Sequence, residues 1–327
     1  MSAALASAVP GSRRCRLQVS QEWLLLLGIV ALVIVVGLVN PRFLAMRNLQ
    51  TILLGNAYIA VAAIGMSMVI ISGNIDISIG SLIGVLATVS GSLAVAGVPL
   101  GLSWLIPILL GVVAMSIMGA FVAYLNIPAI VVTLGMMSVL KGGLISVTNG
   151  VWISNLPPGF LLAQEKVFGV VPMPVFLMVV LTVAAAWWMR NTSAGRSMYA
   201  VGGNVEAARL CGYHRQRTLM MIFAVHGLFA GVAAVLFATQ LSVIQSSVPA
   251  NLEMTIITAS VVGGVSILGG TGTVIGSTLA AILIAAIANS LVFVNISPFW
   301  LRAVQGTLIL VTVLADILRR RRRAKAR

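Results

Sequence analysis

Apolar residues in this chain come in long unbroken stretches, with none of the strict alternation that a half-buried strand would show. Ten stretches can be drawn, at about 23–39, 49–72, 76–96, 102–124, 129–147, 170–189, 219–242, 252–268, 274–294 and 301–318. A hydrocarbon layer of about 30 Å requires roughly 17 to 25 residues of helix, and these runs fit that length. The pattern predicts an all-α, polytopic membrane protein of about ten transmembrane helices. Eight or nine spans with re-entrant segments fits the same runs. Two interruptions stand out. The segment Ser72-Gly73-Asn74-Ile75-Asp76-Ile77-Ser78 cuts one long apolar block in its middle, and Arg190 to Thr218 is the one long polar segment between apolar runs.

Composition supports the pattern: 60% of the 327 residues are hydrophobic, 8% are charged, and the mean hydropathy is +1.12. The net charge of +14 would suit a nucleic-acid binder if it were spread over one face. It is concentrated instead at Arg13, Arg14 and Arg16, at five arginines within 190–218, and at Arg319 to Arg323 with Lys325 and Arg327. Each cluster flanks an apolar run, as the positive-inside rule describes, so the charge sets topology and no nucleic-acid partner is expected. A ten-span threading puts both termini and the 190–218 loop in the cytosol, with fifteen of the twenty Lys and Arg residues (three, five and seven) on that side. The expected organisation is a cytosolic tail at 1–22, a transmembrane domain at 23–318 and a basic cytosolic tail at 319–327. Cys15 and Cys211 both fall on segments read as cytosolic, which argues against a disulfide.

The polar loop has its own architecture. Asn204 is placed to cap a short helix over Val205–Leu210, Glu206 lies in its first turn where the macrodipole favours an anion, and Gly212 stops it. Gly202-Gly203 on one side and Gly212 on the other read as flexible ends of a docking element. Two capped turns on the membrane surface are the plainer reading of the same residues.

Charge inside the apolar runs is rarer and costlier, about 2.5–3.5 kcal/mol for an Asp at a helix centre. Asn74, Asp76 and Ser78 either cap the helix that follows or line a pathway. Lys141, near the far end of the run after Pro128, snorkels or pairs with an acid such as Asp76. Glu253 opens another apolar run, and His214 and His226 stand alone. Trp152 and Phe160 are expected as interfacial anchors in the longest outward loop, 148–169. The glycines at 263, 264, 269, 270, 272 and 276 lack the Lys of a phosphate loop, and their spacing suits tight turns and close helix packing.

Five blocks carry a family resemblance. Glu206-Ala207-Ala208 followed by Gly212 resembles the loop by which ABC importer permeases engage their ATPase subunits. S-G-N-I-D-I-S-I-G-S from Ser72, P-A-I-V-V-T-L-G from Pro128, V-V-G-G-V-S-I-L-G-G-T-G-T-V-I-G from Val261 and Ser297-Pro298-Phe299-Trp300 resemble monosaccharide-type ABC permeases, the rhamnose and autoinducer-2 group in particular. Three departures occur: Asn74 where Gly is usual, Lys141 where Arg is more usual, and Thr255 where a second acid is common. The resemblance implies a permease subunit in the bacterial inner membrane, lying in the lipid bilayer beside a second permease subunit. Cytosolic ABC ATPase subunits would hold ATP and Mg, and a periplasmic sugar-binding protein would deliver cargo. It makes Arg196, Glu206, Ala207, Ala208, Arg209 and Gly212 the ATPase-coupling candidates, while Asn74, Asp76, Ser78, Lys141 and Glu253, as polar groups in or at the edge of apolar runs, are the pathway candidates. This chain shows no nucleotide motif, no metal-ligand spacing and no catalytic constellation, so neither a bound cofactor nor enzymatic activity is expected of it. A branched-chain amino acid permease shares the layout, and an ion-driven secondary transporter would need coupling carboxylates for which only Asp76, Glu253 and Asp316 are near candidates.

Overall fold

The computed structural model describes residues 21–325 apart from Phe168 and Val248, with backbone alone over 319–325. The arginines at 13, 14 and 16, Cys15 and Arg327 lie outside the described residues. The helices are α1 (Gln21–Val39), α2 (Met46–Ile71), α3 (Ile79–Val95), α4 (Leu100–Ala123), α5 (Ala129–Thr148), α6 (Met173–Asn191), α7 (Ser193–Gly203), α8 (Val205–Leu210), α9 (Arg215–Ala238), α10 (Leu252–Val262), α11 (Val274–Phe293) and α12 (Trp300–Lys325). A two-residue hairpin, Lys166–Val167 with Val171–Pro172, is the one strand pair among the described residues.

All ten apolar runs become helices, but they are not ten equal spans. Eight are long and apolar enough to cross a membrane. The other two, α3 and α10, have 17 and 11 residues. At 1.5 Å per residue α10 covers only about 16 Å, roughly half the hydrocarbon layer. Each is preceded by non-helical chain, residues 72–78 before α3 and 239–247 with 249–251 before α10. The run expected at 252–268 is therefore a half-helix followed by a glycine turn. The last helix continues to Lys325, so the backbone of Arg319 to Arg323 is helical.

The centre of the molecule is α2, whose residues from Ala60 to Ile71 are all buried. A helix apolar all round has no face to give to water and sits inside. It packs against α9, α10 and α11, while α1, α5 and α12 lie at the periphery with most of their side chains outward. Glycines allow the closest approaches: a Cβ on Gly227 of α9 would come 2.3 Å from the Gly111 carbonyl of α4, and one on Gly231 would come 2.5 Å from the Ile108 Cα. Small residues at such crossings let backbones meet where lipid provides no hydrophobic drive.

The outward loop differs from expectation at one position. Trp152 is exposed, but Phe160 is wholly buried with its ring 6.4 Å from that of Trp104, so it closes the core and does not anchor at the interface. Ile153 of this loop pairs with Ile244, which ties it to the segment before α10.

Candidate functional site

The break between α2 and α3 is built around Asp76. Its Oδ1 accepts from the backbone N–H of Ser78 at 2.7 Å and from the Ser78 hydroxyl at 2.6 Å. This Asx turn fixes the residue before α3, although no side chain caps the first helical N–H groups directly. The other oxygen, Oδ2, lies 3.0 Å from Nε2 of His226 on α9, and both side chains are wholly buried. A carboxylate only accepts, which places the proton on Nε2. Nδ1 of the same ring is buried without a hydrogen-bond partner, pressed against α2 where a Cβ on Gly65 would come within 2.6 Å. Asp76 therefore does part of what capping predicts, and its second oxygen joins the break to a helix 150 residues later.

His226 replaces Lys141 as the partner of Asp76. Lys141 is exposed on α5, on a face it shares with Leu134, Ser138 and Ile145 at helical spacing. What α5 contributes to the break is Thr133, buried, whose hydroxyl donates to the Ile75 carbonyl at 3.4 Å. Asn74 closes on Ser72, its amide donating to the Ser72 carbonyl and hydroxyl at 3.2 and 3.0 Å.

The two shorter helices, α3 and α10, meet at their N-termini. A Cβ on Gly80, in the first turn of α3, would lie 2.6 Å from Oε2 of Glu253 in the first turn of α10. Glycine leaves room for the carboxylate between two helix N-termini, where the macrodipoles favour negative charge. On the outer side α12 holds α10 in place: Gln305 donates to Thr255 Oγ1 at 3.1 Å, and Arg302 donates to the Asn251 amide oxygen at 3.0 and 2.9 Å in the amide orientation that satisfies both groups. Thr255, where the resemblance leads one to expect an acid, thus faces a neutral amide. Asp316, further along α12, accepts from the Ser266 hydroxyl at 2.5 Å.

The polar loop folds as two helices. α8 has the bounds expected for it, with the Asn204 side chain accepting from the Ala207 N–H at 3.0 Å. It ends in a Schellman motif: Tyr213 N–H bonds the Ala208 carbonyl, Gly212 N–H bonds the Arg209 carbonyl, and Gly212 has φ of 84°. Arg209 bonds Glu206 at 2.6 Å, but both side chains are about 70% exposed, so the pair contributes about 0–1 kcal/mol and the caps hold the shape. Only Ala208 is buried, and Val205 and Leu210 face outward. Arg196 is exposed on α7.

α7 was not visible in the pattern, and it changes the meaning of Gly202-Gly203. These glycines end α7 in direct backbone contact with the core: a Cβ on Gly202 would fall 1.8 Å from the Ile71 carbonyl, and Gly269 lies against both the Gly202 carbonyl and the Gly73 backbone. Gly270 N–H donates to the Ile71 carbonyl at 2.8 Å, and Tyr199 donates to the Gly272 carbonyl at 2.9 Å. Partial burial raises the Tyr199 phenol pKa. The glycines are thus a close-packed seat and not flexible ends. Through them the polar loop touches both the break before α3 and the turn after α10, with no side chain between. The same block brings Gly276 against the Gly263 carbonyl, the packing role its spacing suggested.

This architecture, eight long apolar helices among the described residues and two shorter ones around a buried polar break, defines a polytopic membrane protein. The chain belongs to the family described as "Branched-chain amino acid transport system / permease component", whose model matches residues 48–313. Among curated proteins it is 35% identical over 300 residues to the autoinducer 2 import system permease protein LsrC of Salmonella typhi, covering 92% of this chain and 86% of the relative. It is 34% identical over 301 residues to the protein of that name from Yersinia pseudotuberculosis serotype O:1b, covering 92% and 86%. For that of Photorhabdus luminescens it is 33% over 300 residues, covering 92% and 91%. No solved structure gives a significant match. The chain is a multi-pass permease component of the bacterial inner membrane, a transport subunit and not an enzyme.

Proposed function

We propose that this chain is the membrane-spanning subunit of an ABC importer for a small, polyhydroxylated cargo of the monosaccharide or autoinducer-2 type. A second permease subunit completes the pathway, ATPase subunits on the loop side hold ATP and Mg, and a binding protein on the opposite side delivers cargo. The observation that carries this reading is the polar loop: a capped, exposed helix on a glycine seat that touches both helix breaks. A push on α8 would pass through Gly202 and Gly203 to residues 71–73 and 269–270, and from there to the break bearing Asp76 and to α10, which bears Glu253. Relatives named for autoinducer 2 import support the cargo class. Arg196, Glu206, Ala207, Ala208, Arg209 and Gly212 form the coupling surface in this reading. Asn74, Asp76, Ser78 and Glu253 hold the break, and Lys141 presents its charge to a watery path. The test is uptake by proteoliposomes holding the chain with its ATPase and binding protein, comparing labelled autoinducer 2, ribose and rhamnose. A second cargo, a branched-chain amino acid, rests on the family's description, and leucine uptake in the same vesicles would select it.

A further inference from the structure

A crevice of about 850 Å³ opens on the loop side of the molecule, where the C-terminal end of α6 meets the starts of α1 and α11. Val183, Trp187 and Ile275 give it an apolar wall, and Arg190 and Arg196 also line it. Arg190 is in the last turn of α6 and Trp187 stands one turn before it with 64% of its surface exposed. Tryptophan near the end of a span favours the headgroup level of a membrane, which puts Arg190, one turn further out on α6, at phosphate depth and Val183, one turn further in, at acyl-chain depth. Among the described residues neither guanidinium has an acceptor. Among the described residues that line the crevice the one acid, Glu22, accepts from the Thr273 hydroxyl at 2.9 Å. Two arginines against one glutamate leave a net charge of +1 beside the N-terminus of α11, whose dipole also favours an anion.

We infer that this crevice is a binding site for one anionic glycerophospholipid, its phosphate diester between Arg190 and Arg196 and an acyl chain along Val183, Trp187 and Ile275. Charge and depth select this occupant. A single phosphate diester matches the net charge, guanidinium forks suit phosphate oxygens, and the apolar wall has no use for a free ion. A basic protein segment would be repelled, and a neutral lipid would leave the charge unmatched.

The experiment uses the purified full chain in nanodiscs with Trp187 as reporter, taking the difference in fluorescence between wild type and Trp187→Phe. Dibrominated phosphatidylglycerol at a small fraction of the lipid should quench this signal more than dibrominated phosphatidylcholine at the same fraction. The expected preference is about fivefold for each arginine engaged. Arg190→Gln with Arg196→Gln should abolish the preference while leaving quenching by phosphatidylcholine unchanged, and native mass spectrometry should show one fewer phosphatidylglycerol retained per chain. Three results would overturn the inference. Equal quenching by both lipids would mean an unselective surface. Loss of the preference in millimolar inorganic phosphate would mean an ion site. No quenching by either lipid would mean that no acyl chain enters the crevice.

Discussion

Oδ2 of Asp76 and Nε2 of His226 lie 3.0 Å apart in a region from which both side chains are wholly excluded from solvent. The bond joins the chain break before α3 to the middle of α9 across 150 residues of sequence. Losing one partner of a buried hydrogen bond costs about 1–3 kcal/mol, and more where the group left unsatisfied is a carboxylate.

His226→Ala and Asp76→Ala should each lower thermal stability substantially in detergent, and the double variant should lose much less than their sum. A double-mutant cycle on unfolding temperatures checks this, and strict additivity would mean the two groups act separately.

Asp76→Asn separates the two halves of the site. Its oxygen can still accept from Ser78, but its amide can only donate to His226, which forces the ring proton onto Nδ1, where no acceptor waits. Transport by Asp76→Asn should therefore fall between wild type and Asp76→Ala, as read by initial uptake rates in vesicles with matched expression. A fully active Asp76→Asn would leave the Asx turn as the whole role.

The glycine seat predicts a sharp contrast between neighbours. Gly202→Ala would drive a Cβ into the Ile71 carbonyl, whereas the nearest atom to a Cβ on Gly203 is 3.9 Å away. Gly202→Ala should cost about 1–3 kcal/mol and reduce cargo-stimulated ATP hydrolysis. Gly203→Ala should stay within about 0.5 kcal/mol of wild type on the same scale. Chemical denaturation of the solubilised chain, with ATPase assays of the complex, distinguishes them.

Much of this architecture was legible in the chain because apolar run length and turn chemistry are local. The run lengths placed all ten apolar helices, and Asn204 with Gly212 bounded α8 to the residue. Depth was not legible: 252–268 is apolar throughout, and only the fold shows that Gly263 ends the helix at the point where Gly276 must approach it. Partnership was harder still. His226 is one histidine in an apolar run, and nothing local links it to Asp76. A search pairing each in-span ionisable group with every other would have raised it alongside Lys141. Gly202-Gly203 misled for the same reason, since glycine serves flexibility and close contact alike, and only the Ile71 carbonyl decides between them.

Lys141 gives a test of the pathway. Lys141 is exposed on α5, where a charge against lipid is costly, and the proposed pathway role has its face meeting water in the assembled transporter. Lys141→Cys should react with a membrane-impermeant, water-soluble thiol reagent, in a background where Cys15 and Cys211 are replaced by serine. Protection from that reagent, with labelling by a lipid-soluble maleimide, would place the face in the bilayer.

The central claim is that α8 couples this chain to ATP hydrolysis in a partner. Cargo-stimulated ATP hydrolysis and cargo uptake should be measured together in proteoliposomes holding the chain, its ATPase and its binding protein, with wild type beside a Glu206→Lys, Gly212→Pro double variant. The account predicts uptake by wild type that requires ATP and is not replaced by an ion gradient. For the double variant it predicts normal membrane levels, unchanged cargo affinity of the binding protein, weakened retention of the ATPase and loss of stimulated hydrolysis. Full coupling in the double variant, or uptake by the chain alone under an ion gradient, would contradict it.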